Sequence, residues 1–151
     1  WEKRSPLSSI LNTSYEALIL ASIVERETSQ PKERPKVAAV FLNRLKRGMK
    51  LQSDSTVIYG LSNQKGFLGR SLTKSDILSK NPYNSYIHYD LPPGPISNPG
   101  RDSLVAAMNP SKTKDLYFVA NGLGGHTFSS TLREHNKNVA RWRYIQEQNK
   151  Q

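Results

Sequence analysis

The chain has 151 residues, 36% of them hydrophobic, and its 22 Lys and Arg against 12 Asp and Glu leave a net charge of +10. That length suits one domain with a core of its own, and the lack of cysteine excludes a disulfide framework, a thiolate nucleophile and a thiolate metal site. No run approaches the roughly 18 to 20 apolar residues of a membrane span and none reads as a signal peptide, while a start at Trp1 rather than methionine raises the expectation of a piece cut from a longer protein.

The elements are predicted as follows, in chain order. Thr13 and Glu16 make a T-x-x-E capping box. Behind it the eight-residue run Ala17–Val24 has Ser22 as its only polar residue, and being apolar on every side it predicts a helix buried in the core. Pro31 disfavours helical geometry at Gln30, so the helix is expected to end between Glu27 and Ser29. Glu25 then lies in its last turn, over Ala21 and Ser22 and, one turn further back, Leu18. Two of those neighbours are small, which leaves room for a ligand against the carboxylate. Glu27 is about 200° round the helix at 100° per residue, so the two acids cannot share a face, and the small-residue face selects Glu25 as the inward one. An apolar surround and the negative end of the helix dipole both disfavour a charged carboxylate there, while Arg26 and Arg34 pull the other way. Glu25 is therefore either a general acid or a structural carboxylate paired with an arginine, and this segment alone leaves both open.

A second helix is predicted over residues 35–47, with Pro35 in its first turn, Val37, Val40, Phe41 and Leu45 at helical spacing, and Gly48 as its stop. Asp54 is expected to cap a short helix containing Val57, Ile58 and Leu61, and Thr73 with Asp76 starts another that ends near Lys80. One more short helix runs from Pro99 to Met108. Leu116–Ala120 and Thr127–Ser129 flank Asn121–Gly125 as a hairpin. A second capping box, Thr131 with Glu134, opens a long helix with Leu132, His135, Val139, Trp142 and Ile145 on one stripe. The fold class is thus α+β, a mostly helical single domain over residues 1–151 with a small antiparallel sheet.

The stretch Asn81–Gly100 carries five prolines, and a long proline-rich loop in a compact domain is usually functional. Its residues Tyr83, Asn84, Tyr86 and Asn98 suit sugar binding: flat rings for apolar sugar faces, amides for hydroxyl and acetamido groups. Core packing of the tyrosines is the alternative. His126 lies among glycines in the hairpin, where a substrate could approach; His135 reads as a packed helix residue, and His88 has no distinctive surroundings. Without cysteines or a His-x-x-x-His pair, no metal site and no cofactor is expected. The basic residues are scattered, with no zinc-finger or RNA-binding signature among them. They read as solvated faces attracting anionic polymers in general rather than one nucleic acid.

Seven ordered blocks carry a resemblance: Leu20–Thr28 (LASIVERET), Phe41–Leu45 (FLNRL), Met49–Tyr59 (MKLQSDSTVIY), Tyr83–Tyr86 (YNSY), Leu91–Gly100 (LPPGPISNPG), Tyr117–Ala120 (YFVA) and Gly125–Phe128 (GHTF). Together they resemble the MltG/YceG-like endolytic murein transglycosylases over nearly the whole chain. Two departures are Ser55, where that family usually has proline, and Asp90, where it often has glycine. The resemblance implies a catalytic domain that cuts the β-1,4 bond between N-acetylmuramic acid and N-acetylglucosamine in peptidoglycan strands, leaving 1,6-anhydromuramyl ends and trimming or terminating nascent strands. It implies Glu25 as the catalytic acid; the expected substrate-binding set is Gln52, Asp54, Thr56, Tyr83, Asn84, Tyr86, Asn98 and His126. It further implies a bacterial cell-envelope location, an N-terminal membrane anchor and a LysM-like domain outside this chain, and peptidoglycan synthases as candidate partners. Two rivals are kept: a muramidase-type hydrolase, which needs a second carboxylate for which Asp54 is the best candidate though helix capping also explains it, and a non-catalytic glycan-binding module.

Overall fold

The computed structural model describes residues 1–150. After a 3-10 turn at Pro6–Ser8 come six helices and one hairpin: α1 (Ser14–Glu27), α2 (Arg34–Lys46), α3 (Asp54–Leu61), α4 (Lys74–Ile77), α5 (Arg101–Met108), β1 (Tyr117–Ala120), β2 (His126–Ser129) and α6 (Leu132–Asn149). The α+β expectation holds. α1 is the central helix, packed against α2 and α5, and its residues Leu20, Ala21, Ile23 and Val24 are sealed from solvent together with Val37, Phe41 and Leu42 of α2. Burying each of the larger of these side chains stabilises the fold by about 1.5–3 kcal/mol, so the α1–α2 contact supplies much of the driving force. β1 and β2 pair antiparallel, Tyr117 opposite Ser129 and Ala120 opposite His126, and α6 lies on this hairpin without a fully buried residue of its own. Phe118 carries the hairpin onto the core by meeting Phe41 edge-on at 5.8 Å.

Several ends are set as the sequence suggests. The Thr13 hydroxyl accepts the Glu16 N–H at 3.1 Å, but the Glu16 carboxylate reaches past Thr13 to the Asn12 N–H at 2.8 Å, so the capping box is displaced by one residue. Thr73 and Asp76 form a complete box, whereas at α6 the Thr131 hydroxyl accepts the Glu134 N–H at 3.2 Å and, among the described residues, the Glu134 carboxylate does not return the bond. α4 stops at Ile77, short of Lys80, and α5 begins at Arg101 behind Gly100. Asp90, at a position where the resembled family often has glycine, has φ 65°, the left-handed region that glycine enters freely and aspartate tolerates.

One expectation is overturned here. The small-residue face of α1 is filled by the chain itself and leaves no floor for a ligand. Ile96 N–H donates to the Ser22 hydroxyl at 3.0 Å, and the Ser97 hydroxyl donates to the Ser22 carbonyl at 2.8 Å. α5 closes on the same helix through its own small residues Ser103, Ala106 and Ala107, all buried. Small side chains permit close approach of a backbone as readily as of a ligand, and close-packed interiors fill such space. Ala21→Leu is therefore expected to destabilise by about 1–3 kcal/mol through overpacking, lowering the melting temperature by roughly 2–4 °C per kcal/mol. Thermal unfolding checks this; an unchanged melting temperature contradicts the packing described.

Candidate active site

The two acids at the end of α1 have opposite fates. Glu25 accepts the Gly100 N–H at 2.6 Å and the Ser103 hydroxyl at 3.2 Å on one oxygen, Oε1. It thereby faces the N-terminal end of α5, where the helix dipole favours negative charge. Glu27, the last residue of α1, turns to the other side and accepts the Ser53 hydroxyl. Part of the residue reaches solvent, yet its carboxyl is enclosed on nearly all sides by protein. Burial drives its pKa above the usual carboxylate value and the charge of Asp54 pushes the same way, outweighing the Ser53 and Ser55 hydrogen bonds and the attraction of His126. The desolvated acid is thus Glu27, two residues beyond the one the small-residue face had selected.

The turn before α3 aims the groups around Glu27. Gln52 sits at φ 54°, and its N–H donates to the Ser85 carbonyl at 3.2 Å. Ser53 follows as the N-cap residue, its N–H donating to the Ser85 hydroxyl at 2.9 Å, and the Ser85 and Thr56 hydroxyls are 2.7 Å apart. Thr56 also donates to the Ser53 carbonyl at 2.7 Å. With its backbone locked in this way, Ser53 can spend its hydroxyl on Glu27. Asp54 stands at the first helical position and makes no cap hydrogen bond, contrary to the capping expected of it; its Oδ1 accepts the Tyr86 hydroxyl at 2.5 Å instead. Burial, then the Asp54 hydrogen bond and charge, push the Tyr86 phenol well above its ordinary pKa, so it remains a proton donor to Asp54.

Glu27 borders two clefts. The first, about 300 Å³, is bounded by Gln52, Ser53, Asp54, Tyr86, Arg44 and the β1 strand. The second, about 420 Å³, is bounded by His126, Gly124, Gly125 and Trp142 from the hairpin and α6. Glu27 lines both. His126 is held by Glu33: Nδ1 lies 2.7 Å from Oε1, and the His126 backbone N–H donates to Oε2 at 2.7 Å. Burial alone would raise the Glu33 pKa, but the two His126 hydrogen bonds and that of Thr28 outweigh it and hold the carboxyl below its usual value. A Cβ at position 125 would come within 2.7 Å of Glu33 Oε2, so a side chain there would push the Glu33 carboxylate off His126.

The expected substrate-binding set divides. Gln52, Asp54 and Tyr86 line the first cleft and His126 the second. Thr56 and Asn84 are fully buried: Asn84 Nδ2 donates to the Ile77 and Ser79 carbonyls, each at 2.8 Å, and its Oδ1 accepts the Tyr86 N–H at 2.9 Å. These two shape the site without reaching it. Tyr83 packs edge-on against Tyr59 at 4.8 Å beside a separate hollow, and Asn98 is exposed at another, near Arg26 and Lys65. Sequence reasoning missed Glu27, Ser53, Arg44, Glu33 and Trp142. Only Glu27 had been in contention, as the other face of the same helix end.

Residues 2–141 match the YceG-like family. A Bacillus subtilis protein named endolytic murein transglycosylase is 44% identical over 135 residues, 89% of this chain, and a Streptococcus pneumoniae protein of the same name is 35% identical over 134 residues, 85% of this chain. The matches span 36% and 24% of those proteins' own lengths, so the chain corresponds to about a third or less of either. The crystal structure of a yceG-like protein from Listeria monocytogenes is similar with a TM-score of 0.73 at 44% identity, over 82% of this chain and 38% of that one.

Proposed function

This chain belongs to the YceG-like family, and on that footing we propose that it is the catalytic domain of an endolytic murein transglycosylase in which Glu27 is the acid. The observation that carries the reading is a desolvated carboxyl on a residue that lines two clefts. A glycan strand laid through both clefts would present an internal glycosidic bond to that carboxyl, as cleavage within a strand requires. Protonated Glu27 gives its proton to the bridging oxygen as the bond from muramyl C1 breaks. The muramyl C6 hydroxyl then attacks C1, and the Glu27 carboxylate takes the hydroxyl proton. The acid is restored, no water is consumed, and a 1,6-anhydro ring ends the strand. One carboxylate thereby serves as both acid and base, and its raised pKa suits the first role.

A second reading has its own support. Asp54 borders the same cleft as Glu27 and is free of capping duty, which fits the base of a muramidase-type hydrolase acting on water. Mass spectrometry of peptidoglycan digested by the chain separates the two: anhydromuramyl ends are expected, whereas reducing muramyl ends, heavier by one water, would establish the hydrolase. Intact strands after prolonged digestion would leave only a binding module. The envelope location, the membrane anchor and the synthase partners implied by the resemblance belong to this same proposal; among the described residues no helix is long and apolar enough to cross a membrane. The net charge of +10 favours attraction to an anionic wall.

A further inference from the structure

Arg44 is buried, 7% exposed, yet it borders the same cleft as Glu27. Its Nε donates to the Leu116 carbonyl at 2.7 Å and Nη1 to the Lys50 carbonyl at 2.9 Å, and its guanidinium carbon lies 5.0 Å from the centre of the Tyr117 ring. Among the described residues no carboxylate forms an ion pair with it, and Nη2 has no hydrogen-bond partner. Nη2 is not sealed from solvent, and the residue lines the cleft. A buried guanidinium without a counter-charge is costly, because desolvation is offset only by carbonyl dipoles and a ring face. Its field reaches the cleft: burial first, then Arg44, depress the pKa of His135.

Resting on the transglycosylase reading, we propose that Arg44 is the specificity-determining residue that recognises the lactyl group of the muramyl unit. A peptidoglycan strand offers two kinds of β-1,4 bond in alternation, and the enzyme must select one. The two sugars differ only by the lactyl ether on muramyl O3, whose carbonyl end is an amide oxygen when a stem peptide is attached and a carboxylate when it is not. Both are acceptors for a guanidinium N–H, and the carboxylate makes the stronger, charge-assisted bond. Seating the lactyl group on Arg44 fixes which bond lies over Glu27.

The test uses the intact chain and needs no variant at first. N-acetylmuramic acid is expected to inhibit strand cleavage at a concentration about tenfold or more below that of N-acetylglucosamine, as one charge-assisted hydrogen bond provides. Its methylamide should fall between them, which separates the peptide-bearing from the bare form. Arg44→Gln should raise KM more than it lowers kcat and let glucosaminyl ends appear among the products, with Arg44→Lys restoring part of the register. Equal inhibition by the two sugars overturns the proposal, as does a folded Arg44→Gln variant that keeps both its KM and its muramyl ends. If the wild type cuts nothing, the transglycosylase reading has failed by itself. Calorimetric binding of the two monosaccharides then decides the lactyl site: a preference for N-acetylmuramic acid supports it, and no preference overturns it.

Discussion

Glu27→Gln is expected to abolish strand cleavage with the fold intact, and at neutral pH to melt higher than the wild type. General acid catalysis contributes about 10²–10⁴-fold, so turnover should fall by at least the lower figure. The amide still accepts the Ser53 hydroxyl and fills the same space, so circular dichroism should not change. The stability gain follows from linkage. A carboxyl whose pKa is raised in the folded state above the ordinary 4.5 favours folding fully only below that ordinary value. As pH climbs through the raised value, the unfolded chain ionises freely while the enclosed carboxyl resists, and stability is lost. Glutamine has no such dependence. The melting difference should therefore be near zero below pH 4.5 and grow as pH rises toward neutrality. Glu25→Gln gives the opposite pair of results: cleavage retained, with a loss of about 1 kcal/mol as the bonds to Gly100 and Ser103 weaken. An inactive Glu25→Gln beside an active Glu27→Gln would return the acid to the position first read from the sequence.

Why the sequence pointed to Glu25 is physically plain. Helical periodicity places the two acids on opposite faces but does not say which face the rest of the chain will cover. The smallness of Ala21 and Ser22 was read as room for substrate, and the residues that occupy it, Ile96 and Ser97, lie more than seventy positions downstream. Asp54 shows the same limit. An aspartate ahead of an apolar run reads as a cap, yet its partner is Tyr86, separated by 32 residues and brought near only by the turn that Asn84 organises. Thr56 and Asn84 were expected at the sugar, Asn84 for its amide; both instead donate to backbone carbonyls, which need partners when buried. What local chemistry sets alone was legible: the end of α1, the Thr73–Asp76 box, the stop at Gly48 with its φ of 68°, and the pairing of the hairpin. The arrangement of Arg44, Glu33 and Ser53 around the clefts depends on tertiary packing, and periodicity carries no trace of it.

Asp54→Asn should leave an active enzyme with an altered pH profile. Asp54 adds its charge to burial in keeping the Glu27 carboxyl protonated, so the neutral asparagine lowers the Glu27 pKa. Cleavage needs the protonated acid at its first step, and the alkaline limb of the profile therefore moves toward lower pH. A negative charge in this cleft also favours the oxocarbenium character that develops at muramyl C1. Removing it should cost about tenfold to a hundredfold in kcat, less than a preorganised partner usually supplies because Asp54 is exposed to screening solvent. Tyr86 loses its charged acceptor but keeps a neutral one, so the fold should hold. The decisive measurement pairs the pH profile with mass spectrometry of the products. Residual activity that still makes anhydromuramyl ends, on a profile displaced toward acid, is the transglycosylase outcome. Complete loss of activity, from a wild type that makes reducing muramyl ends, would instead make Asp54 the base that activates water.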